Sequence, residues 1–326
     1  MGDVVTNDGK NLKNLEARKN KAFATTCSIN SIAGTNILRK IETKVILELH
    51  EKVILSALLT NAEAWTLLKS EKDEVERIEI QTLKMLFDLP IHTPTPAIIY
   101  TFGTLFTNLR IEKKRLIYLH RLINKPNNSW MKKTFNILNR LNVGWAKSIN
   151  ETLNDLNLPT DFSEIKATTT RQWKNIVHAK IDVKNQNRLL NECHKTENDT
   201  QTRKTKTAHI VDTLQERTYA RGPTPEILQC NRQETKTLII ARFGMLECGK
   251  NFKGTINEIC GTCKTIDSEN HRLNECPLYK NVNLYDTHCK VDFMDIFSSD
   301  VNTFKPVIKL IEKVWNVQTA HGSMNK

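Results

Sequence analysis

The sequence predicts a mainly α-helical protein, with a helical bundle, a polar linker and a small cysteine-bearing module that ends in a C-terminal helix. Apolar residues recur at three- and four-residue spacing through most of the chain, which is the pattern of amphipathic helices. Of the 326 residues, 39% are hydrophobic and only 11 are Gly and 9 are Pro. This composition suits a chain with a core and excludes collagen-like, low-complexity and wholly disordered classes.

The first elements are a strand end and two helices. Residues 4–10 form a strand-like run into an Asp-Gly turn. A helix follows, and its predicted core stripe consists of Ile37, Ile41, Val45, Leu49, Val53 and Ala57, widened by Leu38, Ile46, Ile54 and Leu58. A second helix begins at Ser70, an N-cap followed three residues later by Asp73, and it ends before Pro90. It is predicted to turn these residues inward: Val75, Ile78, Met85 and Leu86.

A third helix, over residues 109–124, separates an apolar face from a basic face. The apolar residues predicted to face the core are Leu109, Leu116, Leu119 and Ile123. At 100° per residue, five cations fall within about 120° of one another on the other side. They are Arg110, Lys113, Lys114, Arg121 and Lys125.

The positive charge of the chain is concentrated around this helix. The chain has 48 Lys and Arg against 36 Asp and Glu, a formal net charge of +12. Residues 101–140 hold nine basic residues and one acid, Glu112, and therefore carry +8 of that charge. A local cationic patch favours a polyanion such as RNA or DNA, and an ordinary solvated helix surface is the alternative.

The remaining elements lead towards the C-terminus. Residues 130–157 are predicted to be helical. Residues 196–207 are all polar or charged, without a single aliphatic side chain, and are predicted to be a linker. The last helix is amphipathic, with Pro306 in its first turn. Its apolar residues are Val307, Ile308, Leu310, Ile311, Val314 and Trp315.

Four residues near the C-terminal end have the spacing of a zinc site. Cys260, Cys263, His271 and Cys276 spell C-x2-C-x7-H-x4-C. Two thiolates two residues apart grip one side of a tetrahedral Zn²⁺, and a His and a Cys farther on close the other side. Gly261 is expected to relieve backbone crowding between the first two ligands. The alternatives are three free cysteines with an unrelated His, or a site in which Cys248 or Cys289 replaces one ligand.

The charge of this module leaves its role open. Residues 250–280 contain five basic and four acidic residues, a net charge of only +1. Nucleic-acid-binding modules are usually more basic and carry a stacking platform. A structural zinc site and a nucleic-acid-binding finger are therefore both kept as interpretations.

Motifs of several enzyme classes are missing from the sequence. It contains no Gly-rich phosphate loop, no Gly-x-Ser-x-Gly and no His-Glu-x-x-His. His120 is interpreted as a solvated or stacked residue rather than a base, and the pair Cys193 and His194 as chance. No run approaches the length of a membrane span and no secretory leader opens the chain, so we expect an intracellular protein, nuclear or cytoplasmic, without a membrane partner.

Several segments, taken in order, resemble the region after the palm of non-LTR (LINE-type) retrotransposon reverse transcriptases. They are residues 4–10, 15–22, 62–67, 83–90, 110–122 and 260–277. In that family a strand and an Asp-Gly turn lead into a helical thumb that contacts the template–primer duplex, and a CCHC motif follows. The palm, with the metal-binding aspartates of the polymerase, precedes this region in the family.

The resemblance implies an organisation in five parts. They are a post-palm strand and turn (1–24), a helical thumb-like region (25–160), a helical segment with the polar linker (161–235), a CCHC zinc module (236–290) and a C-terminal helix and tail (291–326). We expect a non-catalytic fragment of a reverse transcriptase polyprotein that binds RNA or DNA through the five cations of the third helix. The alternative is a structural zinc module for protein–protein contacts, or an inert pseudogene product.

Overall fold

The computed structural model describes residues 12–32, 40–198, 210–211, 222–246, 248, 259–277 and 292–322, and the predicted mainly helical class is confirmed there. Helices are α1 (Leu12–Ile32), α2 (residues 43–58), α3 (Lys69–Leu86), α4 (Thr95–Phe102), α5 (Thr107–Ile123), α6 (Trp130–Leu141), α7 (Gly144–Asp155), α8 (Phe162–Ala167), α9 (Thr170–Asn198), α10 (Pro225–Leu228), α11 (Arg232–Arg242) and α12 (Val301–Gly322). Shorter turns are the 3-10 helices Ala62–Ala64 and Phe293–Phe297 and the π-helical turn His271–Glu275. Isolated β-bridges join Glu42 to Asn231 and Ile259 to Ile266.

Helix α5 lies at the centre of the bundle. It packs against α3, α9 and the 3-10 turn Ala62–Ala64. The prediction of its core face is confirmed, because Leu109, Leu116 and Leu119 are at most 2% exposed and Ile123 is buried. Asn185 on α9 accepts a hydrogen bond from the amide of Phe106 (3.1 Å), which ties the start of α5 to the longest helix of the bundle.

Helix α2 buries Ile46, Ile54 and Leu58, the predicted margin of the stripe, but not Val45 and Val53 of its predicted centre. It contains an α-helical segment Thr43–Leu49, a π-helical segment His50–Leu55 and a last turn Ser56–Leu58. Val45 and Val53 are 46% and 42% exposed, whereas the parallel row one residue on is fully buried. That row is Ile46, His50, Ile54 and Leu58. The polar residue His50 interrupts this row in the sequence, so the row was predicted as the margin of the core stripe and not as its centre.

Helix α3 begins earlier than predicted. Its N-cap is Leu68 rather than Ser70, and the side chain of Glu71 accepts a hydrogen bond from the Leu68 amide (2.8 Å). Asp73, the acid expected to complete the cap, is exposed. The inward face is largely as predicted, with Val75, Ile78 and Leu86 at most 1% exposed and Met85 half-buried.

Residues 130–157 form two helices instead of one. Helix α6 ends at Asn142, which has a left-handed backbone (φ 51°), and α7 starts at Gly144 (φ 56°). Asn tolerates this conformation better than most residues because its short amide side chain bonds locally. The break folds α7 back on α6, where Phe135 packs edge-on against Trp145.

The C-terminal helix is longer than predicted. Helix α12 begins at Val301, so Pro306 lies inside the helix and not in its first turn. Asp300 caps the helix and its carboxylate accepts a hydrogen bond from the Thr303 hydroxyl (2.7 Å). The expected amphipathic packing is confirmed for Val307, Ile308, Ile311 and Val314, which are at most 2% exposed.

Several contacts join residues 222–242 to the bundle, and two of them are especially close. Thr43 at the start of α2 and Thr235 on α11 share a hydrogen bond between their buried hydroxyls (2.6 Å). Gly103, which ends α4 with φ 56°, lies against Gly222, and a Cβ at residue 103 would stand 1.5 Å from the Gly222 carbonyl oxygen. Glycine is required there by both the backbone angle and the close approach.

Some predictions fall outside the described residues. They are the strand and turn at residues 4–10, the stripe residues Ile37 and Leu38, and residues 199–207 of the predicted linker. Helix α9 runs to Asn198, so residues 196–198 are helical and that part of the linker prediction is wrong. The predicted boundary between residues 24 and 25 falls within α1, and the five-part organisation stays a prediction.

Candidate metal centre and cationic surface

Cys260 and Cys263 lie on a tight turn of the chain. A β-bridge between Ile259 and Ile266 joins the two ends of the turn, and within it the Cys260 amide donates to the Thr265 carbonyl (2.8 Å). Both cysteines are half-buried. The turn therefore presents two sulfur atoms from one short loop, as the two-residue spacing predicted.

The residue with unusual backbone geometry in this turn is Lys264 and not Gly261. Lys264 has φ 59°, and its amide donates to the Cys260 carbonyl (2.9 Å). A Cβ at Gly261 would meet no atom within 4 Å, and its φ lies outside the left-handed region. The expectation that Gly261 relieves crowding is wrong.

The other pair comes from the π-helical turn His271–Glu275. The amide of Cys276 donates to the carbonyl of His271 (2.8 Å). Both residues are buried, with His271 3% and Cys276 2% exposed. The His271 Nδ1 lies 3.2 Å from the Thr265 hydroxyl and 3.3 Å from a Glu275 carboxylate oxygen. Partners of this kind fix the orientation of a ligating ring.

The structure brings all four predicted ligands together. Their ligand atoms lie within 4.8 Å of one another, with the Cys276 sulfur 3.5 Å from that of Cys263 and 3.8 Å from that of Cys260. This cluster could hold a metal ion. Cys248 is not a member of it, and Cys289 lies outside the described residues.

The thiols of this cluster differ in acidity. Burial opposes ionisation of Cys260, but hydrogen bonds from the Cys263 amide and from His271 outweigh it and lower the pKa of the thiol to about 6. Burial and the neighbouring sulfur of Cys276 raise the pKa of Cys263 to about 12. Burial lowers the pKa of His271, but hydrogen bonds to Cys260 and Glu275 outweigh it and raise that pKa. A metal bound here would displace the remaining thiol protons.

A buried ion pair that was not predicted from the sequence supports the cluster. Arg272 donates from Nε to the Asp267 carboxylate (2.5 Å) and makes a second hydrogen bond to it from Nη2. The two side chains are 9% and 8% exposed. In the sequence they were only two of nine charges in a nearly neutral segment, and nothing marked them as partners.

The cluster is attached to the last helix through apolar contacts. Leu273, in the π-helical turn, is 3% exposed, and it meets Ile311 and Val314 of α12 around a shared cavity. Leu246 and Cys248 line the same cavity. The metal cluster is therefore next to the apolar contact between α12 and the residues that follow α11.

The predicted basic face of α5 is only partly open to solvent. The side chain of Arg110 is 21% exposed and lies 3.5 Å from Glu79, a fully buried carboxylate, and 3.8 Å from Glu51. Burial raises the pKa of Glu79 although Arg110 lowers it. Arg110 therefore pairs with a buried carboxylate of the bundle and is not available to a ligand at the surface.

The two lysines of the predicted face differ in exposure. Lys114 is exposed, although its ammonium donates to the carbonyl of Leu59 (3.0 Å) and burial lowers its pKa. Lys113 is half-buried. Arg115, on the same helix, is 2% exposed and lies over the Trp145 ring at 5.7 Å.

Apart from Lys114, whose ammonium is bonded to the Leu59 carbonyl, the open cations lie farther along the chain. Arg121, near the end of α5, is exposed and Lys125 is half-buried. The next cations occur on α6 and α7, where Lys132 is half-buried and the other three are exposed. We call this set the cationic surface: Arg121, Lys125, Lys132, Lys133, Arg140 and Lys147.

Two histidine interpretations can be compared with their surroundings. His120 is 4% exposed, stacks on Trp173 at 6.2 Å, and its Nε2 lies 3.0 Å from the Thr168 carbonyl. The stacked interpretation is confirmed and the solvated one is wrong. Cys193 is fully buried in the core and His194 is exposed.

Among the described helices, none is both long enough and apolar enough to cross a membrane. Comparison with known proteins gives no match to any protein-family model, curated protein or solved structure.

Proposed function

We propose that this chain binds RNA or DNA with little sequence preference through the cationic surface, and that a zinc ion stabilises its C-terminal module. The observation that carries the proposal is the unbroken positive charge of residues 113–150. This stretch contains nine Lys and Arg and no Asp or Glu. Lys and Arg side chains that neutralise phosphates supply most of non-specific nucleic-acid affinity.

The exposure of the cations decides which ones contribute. Arg110 is engaged with buried Glu79, so the charge available to a polyanion comes from the end of α5 and from α6 and α7. The proposal therefore keeps Arg121 and Lys125 from the sequence-based set. It adds these residues: Lys132, Lys133, Arg140 and Lys147.

Zinc is supported by the sulfur spacing of the cluster. Zn–S bonds of about 2.3 Å at tetrahedral angles put two ligand sulfurs about 3.8 Å apart. The two short sulfur–sulfur distances to Cys276 are 3.5 and 3.8 Å. Three thiolates and one imidazole form the closed donor set that is typical of structural zinc sites. A bound zinc would hold the turn of Cys260 and Cys263 against the turn that carries His271.

The origin of the chain is part of the proposal. The resemblance to non-LTR reverse transcriptases implies a non-catalytic region that works beside a polymerase on an RNA template or its DNA copy. A surface that reads phosphates without base-specific contacts suits such a role.

The test is binding of a fluorescein-labelled RNA hairpin at several salt concentrations. Six neutralised phosphates predict that log K falls with log salt at a slope of about −4 to −5.5. The triple variant Arg121→Glu, Lys133→Glu and Arg140→Glu should reduce that slope by about 2 to 3 and weaken binding strongly.

A matched control separates surface charge from total charge. Lys21, Lys44 and Lys309 are exposed cations on other helices, and reversing all three changes the net charge by the same amount. We expect this control to lose far less affinity than the surface variant. Equal losses in the two variants would contradict the assignment of the cationic surface.

A second candidate function, a zinc module that contacts another protein, is favoured by one feature. Ile259 and Ile266, which face each other across the bridge of the knuckle, are 49% and 68% exposed. If the wild-type chain binds the RNA hairpin with no measurable salt dependence, this second function replaces the first.

A further inference from the structure

Trp130 is an exposed aromatic residue within the cationic surface. It is the first residue of α6 and is 83% exposed, whereas Trp65 and Trp173 are 6% and 1% exposed. The indole of Trp145 is held by a hydrogen bond to the Glu63 carbonyl (2.8 Å). A large flat apolar ring left open in this way has a free face for stacking.

Several cations lie close to Trp130 in the chain. The Lys132 ammonium donates to the carbonyl of Lys125 (2.9 Å), which brings the start of α6 against the end of α5. Lys133 follows directly and is exposed, and Arg121 lies in the last turn of α5. Trp130 therefore begins a helix whose first residues include Lys132 and Lys133 and which is bonded to Lys125 after the end of α5.

We propose that Trp130 is a stacking platform for an unpaired base, so that the preferred ligand of the cationic surface is single-stranded RNA or DNA. This inference rests on the proposed function and specifies its ligand. The indole takes the face of one base while Lys125 and Lys133 take the adjoining phosphates. Stacking on aromatic side chains within a basic groove is the general mode of single-strand binding.

A duplex does not fit the same arrangement. In a double helix each base face is covered by its neighbours, and only phosphates and groove edges are open to a side chain. The cations would still bind duplex phosphates, but Trp130 would gain no stacking partner. The ring should therefore distinguish single strands from duplexes, while the cations should not.

A lipid surface fits less well than a nucleic acid. Ile137 and Leu141 continue the row of Trp130 within about 40° on the helix, and both are at least half exposed. On one side of the row Phe135 and Leu138 are committed to the bundle, and on the other Lys133 is exposed. Met131, on the side of Phe135, is also 52% exposed, but only in the first turn. Beyond the first turn the open apolar row is narrower than the face of a helix that lies in a membrane interface.

The experiment compares Trp130→Ala, Trp130→Phe and Ile137→Ala with the wild-type chain. The ligands are a labelled single-stranded RNA of about 15 nucleotides, close to the upper end of single-strand site sizes, and the duplex of the same sequence. We expect Trp130→Ala to weaken single-strand binding about 5- to 150-fold. Trp130→Phe should retain most of the affinity, and Ile137→Ala should retain all of it. Duplex affinity should change less than two-fold in every variant.

The outcomes separate this inference from the function on which it rests. If Trp130→Ala leaves single-strand affinity unchanged while reversal of Arg121, Lys133 and Arg140 abolishes it, the stacking platform is wrong and nucleic-acid binding stands. If that reversal also changes nothing, the proposed function fails. Vesicles of phosphatidylcholine with phosphatidylserine are the third ligand. Vesicle binding that is lost in both Trp130→Ala and Ile137→Ala, with single-strand affinity unchanged, would overturn the inference in favour of a membrane surface.

Discussion

At the scale of single residues, His50 shows how a polar group is accommodated in the core. Its Nε2 lies 3.1 Å from the Thr82 hydroxyl, which in turn donates to the carbonyl of Glu79 (2.7 Å). The Thr82 oxygen is therefore left to accept a hydrogen bond from Nε2 of a neutral imidazole. Burial, followed by the positive charge of Arg110, lowers the pKa of His50 from 6.5 to about 3.

This lowered pKa predicts a pH dependence of stability. The unfolded chain takes up a proton on His50 below about pH 6.5 while the folded chain does not, so the folded state loses stability as the pH falls towards 3. His50→Gln keeps a hydrogen-bond donor for Thr82 but has no titrating group. We expect the wild type to lose stability relative to this variant by about 1.4 kcal/mol per pH unit in that window.

Urea unfolding of both proteins at several pH values measures the difference. Glu79, whose pKa is raised by burial, titrates in the opposite sense, but it is present in both proteins and cancels in the comparison. Parallel stability curves for the two proteins would show that His50 is not held neutral in the fold.

Asp267 and Arg272 provide a second residue-scale prediction. Removal of one partner leaves a buried charge unpaired, which costs about 3 to 5 kcal/mol. We expect Asp267→Leu to weaken zinc affinity about 10- to 100-fold, because Arg272 adjoins the ligand His271. The double variant Asp267→Leu with Arg272→Met should recover most of that loss in a chelator competition. Additive losses in the double variant would argue against direct coupling of the pair.

At the scale of secondary structure elements, α12 carries a proline where a helix interior normally excludes one. Pro306 is exposed and follows five helical residues, so its missing N–H leaves one carbonyl of the preceding turn without its helical partner. We expect Pro306→Ala to stabilise the protein by about 1 to 3 kcal/mol. Lys309→Ala, an exposed change on the same helix, should alter stability by less than about 0.5 kcal/mol. Thermal unfolding of both variants measures the effect, and a lower melting temperature for Pro306→Ala would contradict it.

The elements also show what the sequence could predict. Helix α5 follows its apolar pattern closely, because Leu109, Leu116 and Leu119 are buried in one stripe as predicted, although Glu112 interrupts that stripe. In the core row of α2, Ile46, Ile54 and Leu58 were predicted, but the burial of His50 was not, since it depends on a hydrogen bond to Thr82, thirty-two residues away. Tertiary partners of this kind leave no local signal.

The same distinction applies to the candidate sites. The spacing of the four metal ligands is local, and the structure brings together the predicted set without exchange. The basic face of α5 was assigned from helical geometry alone, which does not show that Glu79 draws Arg110 inward. Exposure of Trp130 depends on how α6 packs, so its role was not visible in the sequence either.

At the scale of the whole molecule, the metal cluster and the cationic surface belong to different parts of the chain. The cluster sits on the packing of α12, whereas the cationic surface lies on α5, α6 and α7. Loss of the metal should therefore leave nucleic-acid binding intact. We expect Cys263→Ser to unfold the C-terminal module and to keep the affinity for the RNA hairpin within about two-fold, as measured by fluorescence anisotropy. A parallel loss of hairpin binding would place the metal module within the binding surface.

We infer bound zinc because four ligands predicted from spacing meet in one cluster whose sulfur distances fit that ion. Native mass spectrometry of the purified full chain under reducing conditions tests it directly. We expect one zinc ion per chain in the wild type and in Cys27→Ser, a change at an exposed cysteine outside the cluster, and none in Cys263→Ser. A wild-type chain that carries no zinc after purification with the metal supplied would contradict it.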